Sequence, residues 1–473
     1  MKTVEDILEQ IKNDKICVLE FWFVDLLGNI KSVEIPVGSD DERLKHLLGD
    51  GILCDIASLI PAPLIGKAKY KENYKNVNLA PDLATYLALP WTKPGDECHQ
   101  ALQAFIGNKP KFIRPSISKA RFMCDIRTTN PDKCFSSRQS LKDYLFKLKA
   151  SNSNWEYIVG PELEFHYLDD KGCAFDEGGY MDTEPDSAKT TQLREMTALM
   201  CETIGIKVEC HHHEVGHGQQ EIDFEKRDAL TMADNMITYK LIARDVARLC
   251  GVQASFMPKP FSDAHGNGMH VHQSIWNEQQ NLFYGEGRRN NLSLIAERFT
   301  AGLLTYASEI TAITNQWVNS YKRIVPSYEA PVYIAWGSAN RSSLIRIPKY
   351  YPVTEQSVRI EYRSPDPACN PYLAFLVMLA AGMEGIKNDL ELPSEIAEDI
   401  YHMPESTVNE RNIGMLPSNL GEALAAMKRG SIVKDKLGEQ FMEDFVRIKE
   451  ADWVDFNRHV SRFEIEEMRK YGI

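Results

Sequence analysis

Val358-Arg359-Ile360-Glu361-Tyr362-Arg363, running into Ser364-Pro365-Asp366-Pro367, alternates strictly between apolar and charged side chains. On a β-strand every second side chain shares a face, so Arg359, Glu361 and Arg363 line one side and Val358, Ile360 and Tyr362 the other. A solvated edge strand would alternate in the same way. Repetition favours a site instead. Gly160-Pro161-Glu162-Leu163-Glu164-Phe165 sets two carboxylates on one face, and Met269-His270-Val271-His272-Gln273-Ser274 sets two imidazoles and a hydroxyl there. Three strands with paired metal- or phosphate-competent groups at this spacing describe the walls of one polar cavity.

Around these strands, helical segments are expected at about 192–204, 226–249, 292–315 and 372–389, with strands that often arrive in pairs. That mixture predicts an α+β fold with a largely antiparallel, curved sheet, not a doubly wound parallel one. Ahead of it, residues 1–14 read as a short amphipathic helix, Ile16–Pro36 as a hairpin turning at Asp25–Asn29, and Asp40–Leu48 as a helix. A chain of 473 residues exceeds what one core usually supports. The Pro/Lys-rich stretch Asn108–Pro115 marks the expected boundary, dividing the chain into 1–110 and 111–473.

A net charge of -13 argues against a nucleic-acid groove as the main business of the surface. The ten cysteines never form CxxC, which reads as reduced thiols and not as a disulfide frame or zinc knuckle. The N-terminus has no apolar signal region, and the longest apolar run, Tyr372–Met383, is too short to span a bilayer. A cytoplasmic globular protein without membrane partners is expected.

Glu162, Glu164, Glu214, Glu221, His270 and Glu361 form the candidate metal set. Oxygen-rich donors with one imidazole suit Mg²⁺ or Mn²⁺ better than zinc, and five carboxylates imply two or more ions. The run His211-His212-His213-Glu214 lacks HExxH, and its histidines point in different directions, so most read as structural or supporting. Arg323, Arg341, Arg346, Arg359 and Arg363 supply the opposite charge; buried arginine needs an anionic partner, and its fork fits carboxylate or phosphate. Carboxylates holding divalent ions beside anion-binding arginines fit phosphoryl transfer. No P-loop and no strand-linked GxGxxG is present.

These segments, together with His212-His213-Glu214-Val215, Gly218-Gln219-Gln220-Glu221-Ile222, Gly266-Asn267-Gly268-Met269-His270, Asn319-Ser320-Tyr321-Lys322-Arg323, Tyr328-Glu329-Ala330-Pro331 and Asn340-Arg341-Ser342, strongly resemble glutamine synthetase of the bacterial and archaeal type I class. The resemblance covers nearly the whole chain. It implies a small N-terminal β-grasp domain, a large catalytic domain, and active sites between subunits of a homo-oligomer, a dodecamer of two hexameric rings. It implies ATP, L-glutamate and ammonium as substrates. By the same carry-over Glu164, Glu214 and Glu221 would hold one metal, and Glu162, His270 and Glu361 the other. Arg323 and Arg363 would grip glutamate, with Gly266, Glu329 and Arg341 also contacting it. Glu209, His272, Ser274, Arg341, Arg346 and Arg359 would contact ATP, with Arg341 at the transferring phosphate. Glu329 would deprotonate ammonium, with Asp55 as partner.

The chain departs from the pattern in four places. Asp55-Ile56-Ala57-Ser58 stands where the family shows Asp-Gly-Ser-Ser, with Asp50-Gly51 as a competing alignment. Asn76 lies near an expected acidic residue, His265 stands where asparagine is usual, and 350–358 lacks an expected lysine. Tyr401 lies in a segment resembling one that is adenylylated in some members, although an ordinary loop tyrosine would look the same. The runner-up reading is therefore a γ-glutamyl ligase of the same fold acting on a larger amine; a third is a non-catalytic assembly.

Overall fold

Asp25 closes the first hairpin of the protein, because its carboxylate accepts hydrogen bonds from the backbone N–H of Leu27 at 3.0 Å and of Asn29 at 2.9 Å. Gly28 supplies the positive φ of 84° that this turn requires. The computed structural model describes residues 2–55, 59, 76–93, 100, 117–127, 136–183, 188–326, 328–338, 340–349 and 351–472. The hairpin strands Val18–Val24 and Ile30–Pro36 belong to a small sheet, in the order Ile30–Pro36, Val18–Val24, Lys119–Arg127, Val77–Pro81, Ile52–Cys54. Val18–Val24 runs parallel to Lys119–Arg127, the arrangement that closes the small fold. Helices Val4–Asn13 and Asp41–Asp50 bury Ile7, Leu8, Ile11, Leu44 and Leu48 in its core.

Lys119–Arg127 lies beyond residue 110, yet it pairs with three strands of the small sheet. Its alternation explains why. Ala120, Phe122, Cys124 and Ile126 face the small core, while on the other face Met123 packs into the larger one between Arg121 and Asp125, so the strand is held by both units. In the sequence such a strand looks like the opening of the second domain. The boundary stretch 108–115 itself lies outside the described residues.

The second sheet runs in the order Gly414–Met415, Tyr333–Ser338, Ser343–Ile347, Ile360–Tyr362, Met269–Asn277, Trp155–Leu168, Gln219–Phe224, Val208–His213. Every pairing in it is antiparallel except that of Tyr333–Ser338 with Ser343–Ile347. The fold is α+β, as expected. One face presents Tyr157, Val159, Leu163, Phe165, Val271, Ile360 and Tyr362 to the core, leaving the charged alternates on the other face. Only Ile360–Tyr362 of the 358–363 run is paired as strand.

Behind the sheet lie helices Ala229–Leu249, Leu294–Thr305 and Pro371–Lys387. The expected helix over 292–315 is interrupted at Tyr306, where a second helix, Ala307–Thr314, begins. The apolar run is the buried central helix Pro371–Lys387, and no described helix is long and apolar enough to cross a membrane. Arg138 knits the two sheets together, bonding Asp82 at 3.1 Å and Asp125 at 2.5 Å on the small sheet's side and Asp234 at 2.9 Å on Ala229–Leu249.

Candidate active site

Strand register assembles the polar face. Trp155–Leu168 pairs with Met269–Asn277 so that Glu162 faces His270, and with Gln219–Phe224 so that Glu164 faces Glu221 and Glu162 faces Asp223. Glu361 faces His272 on one side and Arg346 on the other. His212 faces Glu221 from the edge strand Val208–His213. The three stretches singled out by their alternation are therefore adjacent strands whose charged faces coincide.

Two clusters contain the expected carboxylates. Glu162, His270 and Glu361 offer ligand atoms within 4.8 Å of one another, and so do His212, Glu214 and Glu221; a third group, Cys210, His212 and Asp223, shares His212. Glu164 stands between the first two. One oxygen is 3.9 Å from His270 Nε2, while the other accepts from Gly268 N at 2.9 Å and Gln219 Nε2 at 2.8 Å. His212 Nε2 lies 3.0 Å from Glu214 and 3.6 Å from Glu221, beside the set Glu164, Glu214 and Glu221 that the resemblance implies.

The electrostatics show an excess of buried negative charge. Burial, then the neighbouring Glu214, pushes Glu164 up to about 7 despite Arg323. Burial and Asp223, Glu164, Glu162 and Glu214 hold Glu221 well above the usual carboxylate range. Asp223 is pushed up to about 6 by burial and Glu162. Burial also opposes ionisation of Glu361, but Arg363 and His272 outweigh it and hold the carboxyl low. Converging oxygen donors, one imidazole in each cluster and uncompensated charge fit hard divalent cations.

The arginines close the cavity. Arg323 donates to the carbonyls of Ser364 at 2.8 Å, Pro365 at 3.2 Å and Arg363 at 3.2 Å, which fixes its head beside Gly266 and Gly268. A Cβ at Gly266 would lie 2.5 Å from the Pro258 carbonyl, so only glycine fits there, and one at Gly268 would lie 2.6 Å from Arg323 Nη2 and displace that head. Arg363 bonds Glu361 at 2.6 Å, and Arg346 hydrogen-bonds the other Glu361 oxygen. Glu164, Glu214, Gly266, Arg323, Glu329 and Arg363 line one narrow cavity of about 30 Å³.

Glu329 is held there at φ 55°, a left-handed conformation that costs a non-glycine residue free energy. Arg363 Nη2 lies 3.4 Å from its carbonyl, and Arg341 Nη1 lies 3.7 Å from its carboxylate. Tyr401 is half-buried, and its hydroxyl donates to the Ala330 carbonyl next door.

Other candidates gather further along the face. His272 Nε2 is 2.5 Å from Glu162, and Ser274 accepts from Trp276 Nε1 at 2.8 Å. Arg359 is half-buried and Glu209 is exposed on the edge strand. Asp55 is exposed beyond Ile52–Cys54 on the small sheet and does not line its own chain's cavity; Ile56, Ala57 and Ser58 lie outside the described residues.

Gln219, Asp223 and Lys226 are not singled out as site residues from the sequence, and His212 reads there as supporting. Gln219 and Asp223 share one face of Gln219–Phe224 with the candidate ligand Glu221, a spacing-of-two signal as clear as the three already used. Lys226 has no local signal: its Nζ lies 4.1 Å from the Trp276 ring centre and donates to the Gln356 carbonyl at 3.3 Å, beside the segment that lacks a lysine.

Comparison with known proteins bears on this geometry. Residues 135–468 match the family described as glutamine synthetase, catalytic domain. Glutamine synthetase of Methanococcus maripaludis is 38% identical over 99% of this chain and 100% of its own length. That of Thermotoga maritima is 38% identical over 98% of this chain and 99% of its own. Among solved structures, GmaS in complex with ADP superposes with a TM-score of 0.82 at 25% identity, covering 99% of this chain and all of that one. GmaS without ligand gives 0.79 at 26% identity, covering 98% of each chain. Paired carboxylate clusters, arginine rim and full-length similarity converge: the chain belongs to the glutamine synthetase family.

Proposed function

We propose that the chain is an ATP-dependent glutamate–ammonia ligase, forming L-glutamine, ADP and phosphate through γ-glutamyl phosphate. The observation that carries this reading is the union, on one sheet face, of two carboxylate clusters with Arg323 and Arg363 in a chain of this family. A carboxylate is a poor acylating agent because its leaving group would be oxide. Phosphorylation replaces that group with phosphate. Glu162, His270 and Glu361 would hold one divalent ion, and Glu214 and Glu221, with Glu164 or His212, another; such ions neutralise charge on the transferring phosphate. Arg323 and Arg363 bind the glutamate carboxylate beside Gly266, while Arg341 meets the phosphate from the rim. His272, Ser274, Arg346, Arg359 and Glu209 serve the nucleotide, and Lys226 supplies the cation that 350–358 lacks.

Ammonia arrives as ammonium and must lose a proton before attack. The Glu329 carboxylate, half-exposed at the cavity mouth, attracts the cation and accepts that proton. Asp55 joins it only if a neighbouring subunit's small sheet reaches the cavity, which is the role of the ring assembly in this reading.

A second reading, ligation of a larger amine, has one specific observation in its favour. His265 stands edge-on to Tyr328 with ring centres 5.9 Å apart, both lining the cavity beside Glu329. The test is ATP-dependent phosphate release with L-glutamate and Mg²⁺, comparing ammonium with methylamine, ethanolamine and putrescine, with product mass measured. Glutamine formation with ammonium as the preferred amine supports the first reading. Preference for an organic amine overturns it for the second, and silence with every amine overturns both.

A further inference from the structure

A cavity of about 550 Å³ lies away from the carboxylate clusters, at the seam between the first hairpin and the second sheet's helices. Leu27 and Asn29 from the hairpin turn, Lys240 and Arg244 from Ala229–Leu249, Phe256 and Trp317 contribute to its wall. The turn is fastened to this seam through its carbonyls: Gln316 Nε2 donates to Leu27 at 2.8 Å and Asn370 Nδ2 to Leu26 at 3.2 Å. The cavity is therefore built into the fold and is not a gap between loose surfaces.

Its charge is out of character. The chain carries 67 acidic against 54 basic residues, yet among the described residues no aspartate or glutamate lines this cavity. Lys240 and Arg244 are four residues apart on one helix face and flank the Phe256 ring, at 5.9 Å and 5.4 Å from its centre. Lys240 is buried and, among the described residues, hydrogen-bonds only the Pro367 carbonyl, a neutral acceptor. Among the described residues, Arg244 has no hydrogen-bond or carboxylate partner, only the ring. Burial, reinforced by Arg244, pushes the Lys240 ammonium down to about 8, so the pair still carries its charge near neutral pH. Two cations with no carboxylate among the described lining residues, Asp366 acting on Lys240 only without a hydrogen bond, stand beside two aromatic rings and aliphatic walls and fit an anionic head on an apolar body.

We propose that this cavity binds a small organic anion, a carboxylate or phosphate ester with an apolar or aromatic body, at a site separate from the catalytic one. Its walls continue into the candidate active site. The Pro258 carbonyl accepts from Asn267 N at 2.7 Å, next to Gly266. Asn319 Oδ1 accepts from Lys259 N at 2.8 Å, four residues before Arg323. Pro367, held by Lys240, follows the Ser364 and Pro365 carbonyls that fix Arg323. An occupant ordering these segments also biases the glutamate-binding arginine.

The test uses the full chain and phenyl phosphate as probe, with neutral benzamide as control, followed by calorimetry. Because the catalytic arginines also attract phosphate, binding is compared in Arg244→Ala, Arg244→Lys and Arg363→Ala. The expected result is saturable binding of phenyl phosphate but not benzamide, weakened about tenfold or more in Arg244→Ala. Arg244→Lys should restore part of it, and Arg363→Ala should leave it in place. Glutamine synthesis by Arg244→Ala without probe should match the parent, which shows that the fold is intact. Absence of binding, binding indifferent to Arg244→Ala, or binding lost only in Arg363→Ala overturns the proposal.

Discussion

Glu361 has no exposed side-chain surface, and two arginines share its oxygens. Replacing it with glutamine keeps the shape and removes the charge. In the reading above, Glu361→Gln should raise the Mg²⁺ or Mn²⁺ concentration for half-maximal activity by about tenfold or more. An unaltered metal titration would remove Glu162, His270 and Glu361 from metal binding. Glu329 sits in a strained conformation at the mouth and is half-exposed, so Glu329→Ala should leave ADP affinity near the parent's. Amide formation should fall about 10²–10⁴-fold, the usual worth of a positioned base. Undiminished synthesis would take Glu329 out of the mechanism. Lys240 gives a pH prediction. Its ammonium is held at about 8 when folded against an ordinary value of 10.5, so between these pH values the unfolded chain binds a proton that the folded chain does not. Stability should therefore rise from pH 8 towards 10.5, by at most about 3 kcal/mol from this group. Lys240→Met should flatten that rise in urea titrations across the window, and an unchanged slope would refute the assignment.

At the scale of elements, close helix packing supports the sheet that carries the site. Leu294–Thr305 and Pro371–Lys387 meet at glycines. A Cβ on Gly385 would lie 2.2 Å from the Arg298 carbonyl and 2.6 Å from Gly302 Cα. Both obstacles are backbone, so the helices must part. Gly385→Ala should cost about 1–3 kcal/mol, read as a lower denaturation midpoint; an unmoved midpoint would show that the helices tolerate separation. The same elements show how far a sequence can be read. Strict alternation located all three site strands, since a period of two decides which side chains share a face. The single helix expected over 292–315 was too long, because both halves are apolar and nothing local marks the break at Tyr306. Helix Ser137–Ser151 was not anticipated; its amphipathic stripe is weak, and its place depends on Arg138 reaching three distant carboxylates.

For the whole molecule, Arg138 is the joint. It is buried, and its guanidinium meets Asp82, Asp125 and Asp234, the last also accepting from the Tyr372 hydroxyl at 2.6 Å. Removing it leaves the buried Asp234 without its cation, while Asp82 and Asp125 keep Lys142 at 2.9 Å and 2.7 Å but lose their tie across the seam. Arg138→Leu should cost about 3–5 kcal/mol. Arg138→Lys should restore little, because a point charge cannot serve three acceptors as a planar fork does. Thermal melting of both variants checks this, and a parent-like melting point would show the seam is held by apolar packing instead.

By itself the sequence determined the site's chemistry and the fold class. Residue type and spacing act locally: alternating charged strands announce a polar face, and an apolar run interrupted by Glu384 announces a buried helix. It also carried the family through motifs spread along nearly the whole chain. Tertiary structure decided what depends on register and packing. Pairing brought Asp223 beside Glu162, set His212 close to Glu214 and Glu221, and left Glu164 between the two clusters. It placed Lys226 against Gln356, and it claimed Lys119–Arg127 for the small sheet across the expected boundary. These contacts join residues remote in the chain, and no local pattern encodes which strand a neighbour will choose.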